Sequence, residues 1–201
     1  MAALLFRPPP AGELRALLAE GLHLWRLGAG QDWRALLVRR YRTPPPHRGP
    51  HGQPRVAGLA VAHADSGAWR ALAVAESGPL GLDLECVRAL RRREALLRRC
   101  FAAEEREALA AAGDRLLLRC WTLKEAVVKA HGRGLAYGLA RIVTRPRGEW
   151  PELAAIAGEA GPAARWAVLG FELAEGCDAT LVQPSPARPV LAFDGTAEPA
   201  A

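Results

Sequence analysis

Asp83 and Glu85 stand two residues apart in LGLDLE. On a strand, that spacing puts both carboxylates on one face while Leu82 and Leu84 turn the other way into a core. Glu125 comes from a separate segment, CWTLKEAVVKAHGRGL (120–135), directly after Lys124 and four residues before Lys129. Those two lysines are the only ones in the chain; every other cationic side chain, histidine aside, is arginine. Three hard oxygen donors beside compact ammonium groups suit a divalent cation shared between carboxylates and phosphates. Each pair also fits a plain structural role. Glu125 and Lys129 make an i,i+4 bridge worth about 0.3–0.5 kcal/mol on an exposed helix, and Asp83 with Glu85 suits the solvent face of an edge strand. Spacing alone does not choose between these.

The segments around these residues predict an α+β fold with a strand-rich centre and helices to one side. Residues 11–28 have the pattern of one amphipathic helix ending at Gly28, and DWRALLVRRY (32–41) that of a short helix capped by Asp32. The Pro- and Gly-dense stretch 43–54 predicts an irregular polar loop. Three short apolar runs at 56–63, 69–76 and 80–87, separated by DSG and SGP, predict a β-meander. Helical patterning covers 88–112, and a longer helix runs from near Asp114 to His131, with Gly132 and Gly134 ending it. On that helix Trp121, Glu125 and Lys129 share a face. Residues 166–173 and 178–183 predict a closing hairpin, and the Pro-rich tail 187–201 predicts disorder.

Composition narrows the partners. A chain of 201 residues, half of them hydrophobic, buries a full core, and a net charge of +6 favours an anionic partner. The arginine-rich run VRALRRREALLRRC (87–100) suits a solvated helix or a nucleic-acid patch, but aromatic interleaving, helix–turn–helix spacing and a zinc knuckle are missing from the sequence. Cys86, Cys100, Cys120 and Cys177 are scattered without a CxxC pair, so zinc and a disulfide framework are both disfavoured and reduced thiols are expected. The opening MAALLFRPPP is too short for a signal peptide or a membrane span, which makes a cytoplasmic location the expectation.

The order of the pieces carries more than any one of them. GQP (52–54), AHADSG (62–67), GLDLE (81–85), FAAEE (101–105) and WTLKEAVVKAHGRGL (121–135) occur in that sequence. The chain thereby resembles the 4′-phosphopantetheinyl transferases of the surfactin-synthetase-activating type. The resemblance implies that family's fold, two pseudo-symmetric α+β subdomains in one chain with a coenzyme A site between them. The corresponding division is a shortened N-terminal subdomain at 1–78 and a C-terminal subdomain at 79–186 bearing the metal and catalytic motifs. It also implies transfer of the phosphopantetheine arm of coenzyme A to a serine of an apo acyl or peptidyl carrier, with Mg²⁺ (Mn²⁺ as the substitute) and release of adenosine 3′,5′-bisphosphate.

Position by position, the resemblance makes Asp83, Glu85 and Glu125 metal ligands. Glu125 is also a candidate general base, and Lys129 steadies the attacking oxygen. Lys124 and Lys129 become pyrophosphate contacts, and His63 holds the 3′-phosphate. Ala62 stands where the family pattern has serine, and Gln53 where it has lysine, so a phosphate contact is either lost or supplied by Arg55 or Arg48. Arg34, Arg39 and Arg40 are expected to add basic coenzyme A contacts. An acidic carrier protein is the expected partner and a monomer the expected state. The alternatives are a non-catalytic relative that binds coenzyme A or a carrier, and a basic nucleic-acid-binding protein.

Overall fold

The computed structural model describes residues 4–159 and 165–198. A 3-10 turn at Arg15–Ala19 leads into β1 (Leu22–Gly28), followed by α1 (Trp33–Tyr41), whose Arg34 amide donates to the Asp32 carboxylate at 2.9 Å. Two-residue strands β2 (His47–Arg48) and β3 (Pro54–Arg55) punctuate the polar loop. Then come β4 (Ala60–Ser66), β5 (Trp69–Ala75) and β6 (Gly81–Cys86), and after them α2 (Arg93–Cys100), α3 (Ala103–Leu109) and α4 (Asp114–His131). The chain closes with β7 (Ile142–Arg145), β8 (Glu152–Ile156), β9 (Trp166–Ala174), β10 (Cys177–Pro184) and β11 (Val190–Asp194). This is the expected α+β class.

Two sheets organise the molecule, one of four strands in the order β11-β1-β5-β4 and one of three in the order β6-β10-β9. They share a core in which the small side chains Ala62, Ala64, Ala71 and Ala73 meet Leu82, Leu84, Phe171 and Leu181. A second apolar cluster packs α1 and the 3-10 turn on the far side of the first sheet, through Leu18, Leu36, Leu37 and Tyr41. A third packs α4 with α2, β7 and β8.

Three sequence expectations change. Residues 11–28 are not one helix: after the 3-10 turn, β1 runs through the centre of its sheet. The buried Leu22, His23, Leu24 and Trp25 present both strand faces to core, and such a continuous apolar run is the case in which periodicity cannot separate helix from strand. The three central runs are strands, but they do not form one meander, because β6 leaves β5 and joins β10 and β9 instead. The tail expected to be disordered contains β11, which pairs in parallel with β1 from Leu22↔Val190 to Arg26↔Asp194. Its prolines and small residues concealed a short apolar strand whose partner lies far away in the chain. Residues 199–201 of that tail lie outside the described residues.

The thiol expectation holds for Cys100 and Cys120, which are free and buried. It fails for Cys86 and Cys177, which form a disulfide. Antiparallel pairing of β6 with β10 sets Cys86 directly opposite Cys177, a juxtaposition that no sequence spacing shows.

α4 carries Lys124, Glu125 and Lys129, and four separate contacts position it. Near its start, Arg119 and Arg115 both grip the fully buried Asp178 of β10 at 2.8 Å. Burial raises a carboxyl's pKa, but hydrogen bonds from the two guanidiniums outweigh it and hold Asp178 below its ordinary value. Thr122 Oγ1 meets Thr180 Oγ1 at 2.9 Å. In the middle, Lys124 is tied to Glu105, and near the end Lys129 is tied to Asp83.

Between those ties the helix backbone rests on β6 at Gly81. A Cβ there would stand 1.8 Å from the Ala126 carbonyl oxygen, so the strand and helix approach more closely than any side chain permits. Gly81→Ala is therefore expected to lower stability by about 3 kcal/mol, the upper end of ordinary overpacking costs, read as a fall in the urea midpoint. A change below about 0.5 kcal/mol, the size of a typical surface substitution, would show that β6 and α4 separate freely.

Candidate active site

β6, α4, β4, α1 and the loop around β2 and β3 enclose a cleft of about 420 Å³. From the C-terminal side Asp83, Glu125 and Lys129 line it; from the N-terminal side His63, Trp33, Arg34 and Arg48 do. Residues from both halves of the sequence thus face one space. Asp83 and Glu125 converge because β6 runs beneath α4 at Gly81, two residues before Asp83 and opposite Ala126, the neighbour of Glu125.

Lys129 Nζ donates to Asp83 Oδ1 at 2.7 Å and to the Leu82 carbonyl oxygen at 3.0 Å. Asp83 is nonetheless pushed up to about 7: burial raises it most, Lys129 opposes, and the carboxylates of Glu125 and Glu85 raise it further. Glu125 also lies above its ordinary range, through burial first, with Lys129 opposing and Glu85 adding. The three predicted carboxylates therefore sense one another's charge.

They do not form a closed ligand set. Among the described residues no three His, Cys, Asp or Glu side chains come close enough together to hold a metal ion. Glu85 is turned outward: it binds the Arg88 guanidinium, receives a 3.4 Å contact from Ser66 Oγ, and lines a neighbouring groove with Leu90, Leu96 and Trp121 instead of the cleft. The donor chemistry still fits a hard divalent cation. Asp83 and Glu125 share a single lysine while Glu85 adds its charge from nearby, and the bond that diverts Glu85 goes to an exposed arginine.

The two lysines part company. Lys129 lies in the cleft as expected, whereas Lys124 is fully buried and points away from it. Its ammonium donates to Glu105 Oε2 at 2.7 Å and to the carbonyl oxygens of Leu139 and Ile142, and it lies 4.7 Å from the Phe101 ring centre. Burial pulls its pKa down against the opposing pull of Glu105. The reason is angular: Lys124 is about 100° round the helix from Glu125, so when Glu125 faces the cleft Lys124 faces the core.

Arg40 and Arg39 are corrected in the same way. Arg40 donates to the Pro10 carbonyl oxygen and lies 3.6 Å from Glu198, and Arg39 also pairs with Glu198, so both serve the back of α1. Arg55 lies on β3 and is not part of the cleft lining, whereas Arg48 of the paired β2 and Arg34 of α1 are. Gln53 lines the cleft and accepts from the His51 amide at 2.9 Å, holding the loop turned.

His63 is in the cleft and stacks on Trp33, with ring centres 4.5 Å apart. Its pKa falls to about 4, first through burial and then through Lys129, Arg34 and Arg48, with Asp65 opposing. At neutral pH it is an uncharged imidazole that offers one N–H. Sequence reasoning missed Trp33, because an aromatic in the first turn of a capped helix looks like core. It also missed Glu105, visible only as one acid of FAAEE.

Residues 79–168 match the family model of the 4′-phosphopantetheinyl transferase superfamily, a segment that includes Asp83, Glu85, Glu105, Glu125 and Lys129 and leaves out Trp33, Arg34, Arg48 and His63. No curated protein matches the chain.

Proposed function

We propose that this protein transfers the 4′-phosphopantetheine arm of coenzyme A to a serine of an apo carrier protein, in the manner of the surfactin-synthetase-activating type. The observation that carries this reading is the single cleft in which Asp83, Glu125 and Lys129 face His63, Trp33, Arg34 and Arg48. One side has acids and a lysine suited to a pyrophosphate and its counter-ion, and the other has cations and a stacked ring pair suited to a phosphorylated nucleotide.

In this reading Arg34, Arg48 and His63 hold the 3′-phosphate end of coenzyme A, and Lys129 leaves Asp83 for the pyrophosphate. Asp83, Glu85 and Glu125 would hold Mg²⁺ or Mn²⁺, which supplies neutralisation of the pyrophosphate charge. Glu125 takes the proton of the carrier serine, a task helped by a pKa raised toward neutrality. The serine oxygen forms its bond to the β-phosphorus, the bond from that phosphorus to the bridging oxygen breaks, and adenosine 3′,5′-bisphosphate leaves. Lys124 has no contact with substrate in this scheme. The arginine-rich stretch 88–99 gives an acidic carrier a matching surface, and one chain supplies both walls of the cleft, as a monomer requires.

The test is the intact mass of an apo carrier after incubation with the protein, coenzyme A and Mg²⁺. A gain of one phosphopantetheine unit is expected, absent with EDTA and absent with Asp83→Ala. No gain on acyl and peptidyl carriers alike, with coenzyme A still bound, would leave a binding protein in place of a transferase.

A further inference from the structure

The disulfide lies at one end of the acidic cluster. Glu85 immediately precedes Cys86, Asp178 immediately follows Cys177, and Glu85 and Asp178 are the next pair in the β6–β10 register. The two sides of the bridge are held very differently. On β10, Cys177 is buried and Asp178 is clamped by Arg115 and Arg119. On β6, Cys86 is half-buried, and its surroundings are the β4–β5 turn: its amide donates to Ser66 Oγ at 3.0 Å, and its Sγ lies 3.3 Å from the Ser66 carbonyl oxygen. The same Ser66 hydroxyl contacts Glu85 Oε2. Cys86, Ser66 and Glu85 thus form one contact group on the less buried side of the bridge.

We propose that the Cys86–Cys177 disulfide is a redox switch that sets where Glu85 stands relative to Asp83 and Glu125; this rests on reading those carboxylates as a divalent-cation site. The reaction partner is a dithiol. Its thiolate attacks Cys86 Sγ, the sulfur on the accessible side; the Sγ–Sγ bond breaks, and Cys177 leaves and takes a proton. The second thiol of the reductant, losing its own proton, closes the reductant's disulfide and releases Cys86 as a thiol. The protein gains two electrons and two protons, and a low-molecular-weight disulfide such as oxidised glutathione reverses the exchange. Once unbonded, the sulfurs must move apart to van der Waals separation, roughly 3.5–4 Å. Cys177 is enclosed, so the displacement falls on Cys86 and carries Ser66 and Glu85 with it.

The experiment uses the full chain, oxidised with glutathione disulfide or reduced with dithiothreitol and freed of it anaerobically, then titrated with Mn²⁺ by the paramagnetic resonance of the free ion. Alkylation after denaturation is expected to count two thiols in the oxidised form and four in the reduced. Reduction is expected to change Mn²⁺ affinity about tenfold, the order by which a group that orients a metal ligand acts. Cys177→Ser is expected to bind like the reduced protein and to ignore the redox state. Equal Mn²⁺ affinity in both forms would overturn the switch alone. Binding in neither form would overturn the cation-site reading, and the switch with it. Four thiols after glutathione disulfide treatment, or loss of the near-ultraviolet dichroism on reduction, would also overturn it, the latter making the bridge a structural staple only.

Discussion

Lys124→Met is expected to destabilise the protein by about 3–5 kcal/mol, the cost of leaving a buried partner charge uncompensated. Glu105 has no exposure to fall back on. Its Oε1 accepts from the Thr144 amide at 2.8 Å and from Thr144 Oγ1 at 2.6 Å, and its Oε2 accepts from Lys124 and from the Ala102 amide at 2.8 Å. The pair therefore links α4 to the start of α3 and to β7. Glu105→Leu in the Lys124→Met background is expected to recover part of the loss, because the orphaned charge is gone. Recovery stays incomplete, because the Ala102 and Thr144 donors are then unpaired. Urea unfolding of the two variants measures both steps. A loss below about 1 kcal/mol for Lys124→Met, the usual ceiling for an exposed pair, would mean that the pair is not closed off from water. Lys124→Arg is no conservative change here: the guanidinium is a wide planar fork, and the site is built round one compact ammonium.

Glu125→Gln is expected to act in the opposite manner, leaving the fold unchanged and removing chemistry. The side chain is half-buried and makes no hydrogen bond or ion pair among the described residues, so the melting temperature should stay within about 1–2 °C, the shift that accompanies roughly 0.5 kcal/mol in a domain of this size. Single-turnover loading of a carrier serine should fall by about 10²–10⁴, the range attached to a positioned general base. Gln keeps the shape and one acceptor oxygen but cannot take the proton. A rate within about threefold of the parent, a change of less than 1 kcal/mol in the barrier, would remove Glu125 from the proton step. The raised pKa of Glu125 also sets the sign with pH: a base must be deprotonated, so loading should rise with pH through a midpoint above the ordinary carboxylate value.

These two neighbours show where the sequence speaks and where it does not. One motif, WTLKEAVVKAHGRGL, holds Lys124, Glu125 and Lys129, and the α4 boundaries follow from its apolar stripe and from Gly132, which closes the helix at φ 71°. The capped helix α1 and the β9–β10 hairpin are equally legible, because caps, glycines and 3.6- or two-residue periods are local. The motif order likewise brings Asp83, Glu125, Lys129 and His63 to one cleft without any contact being known. What stayed hidden depends on partners distant in the chain. β1 looked helical because a central strand has no polar face, and β11 looked disordered because its partner lies some 168 residues earlier, at Leu22↔Val190. Cys86 and Cys177, 91 residues apart, meet only through the β6–β10 register. Whether a lysine of the motif faces the cleft or the core is a matter of rotation about the α4 axis, and that rotation is set by Asp178, Glu105, Gly81 and Asp83, which lie on other elements. Residue types and spacing determined which side chains are candidates for chemistry, and long-range packing decided which of those charges face the cleft.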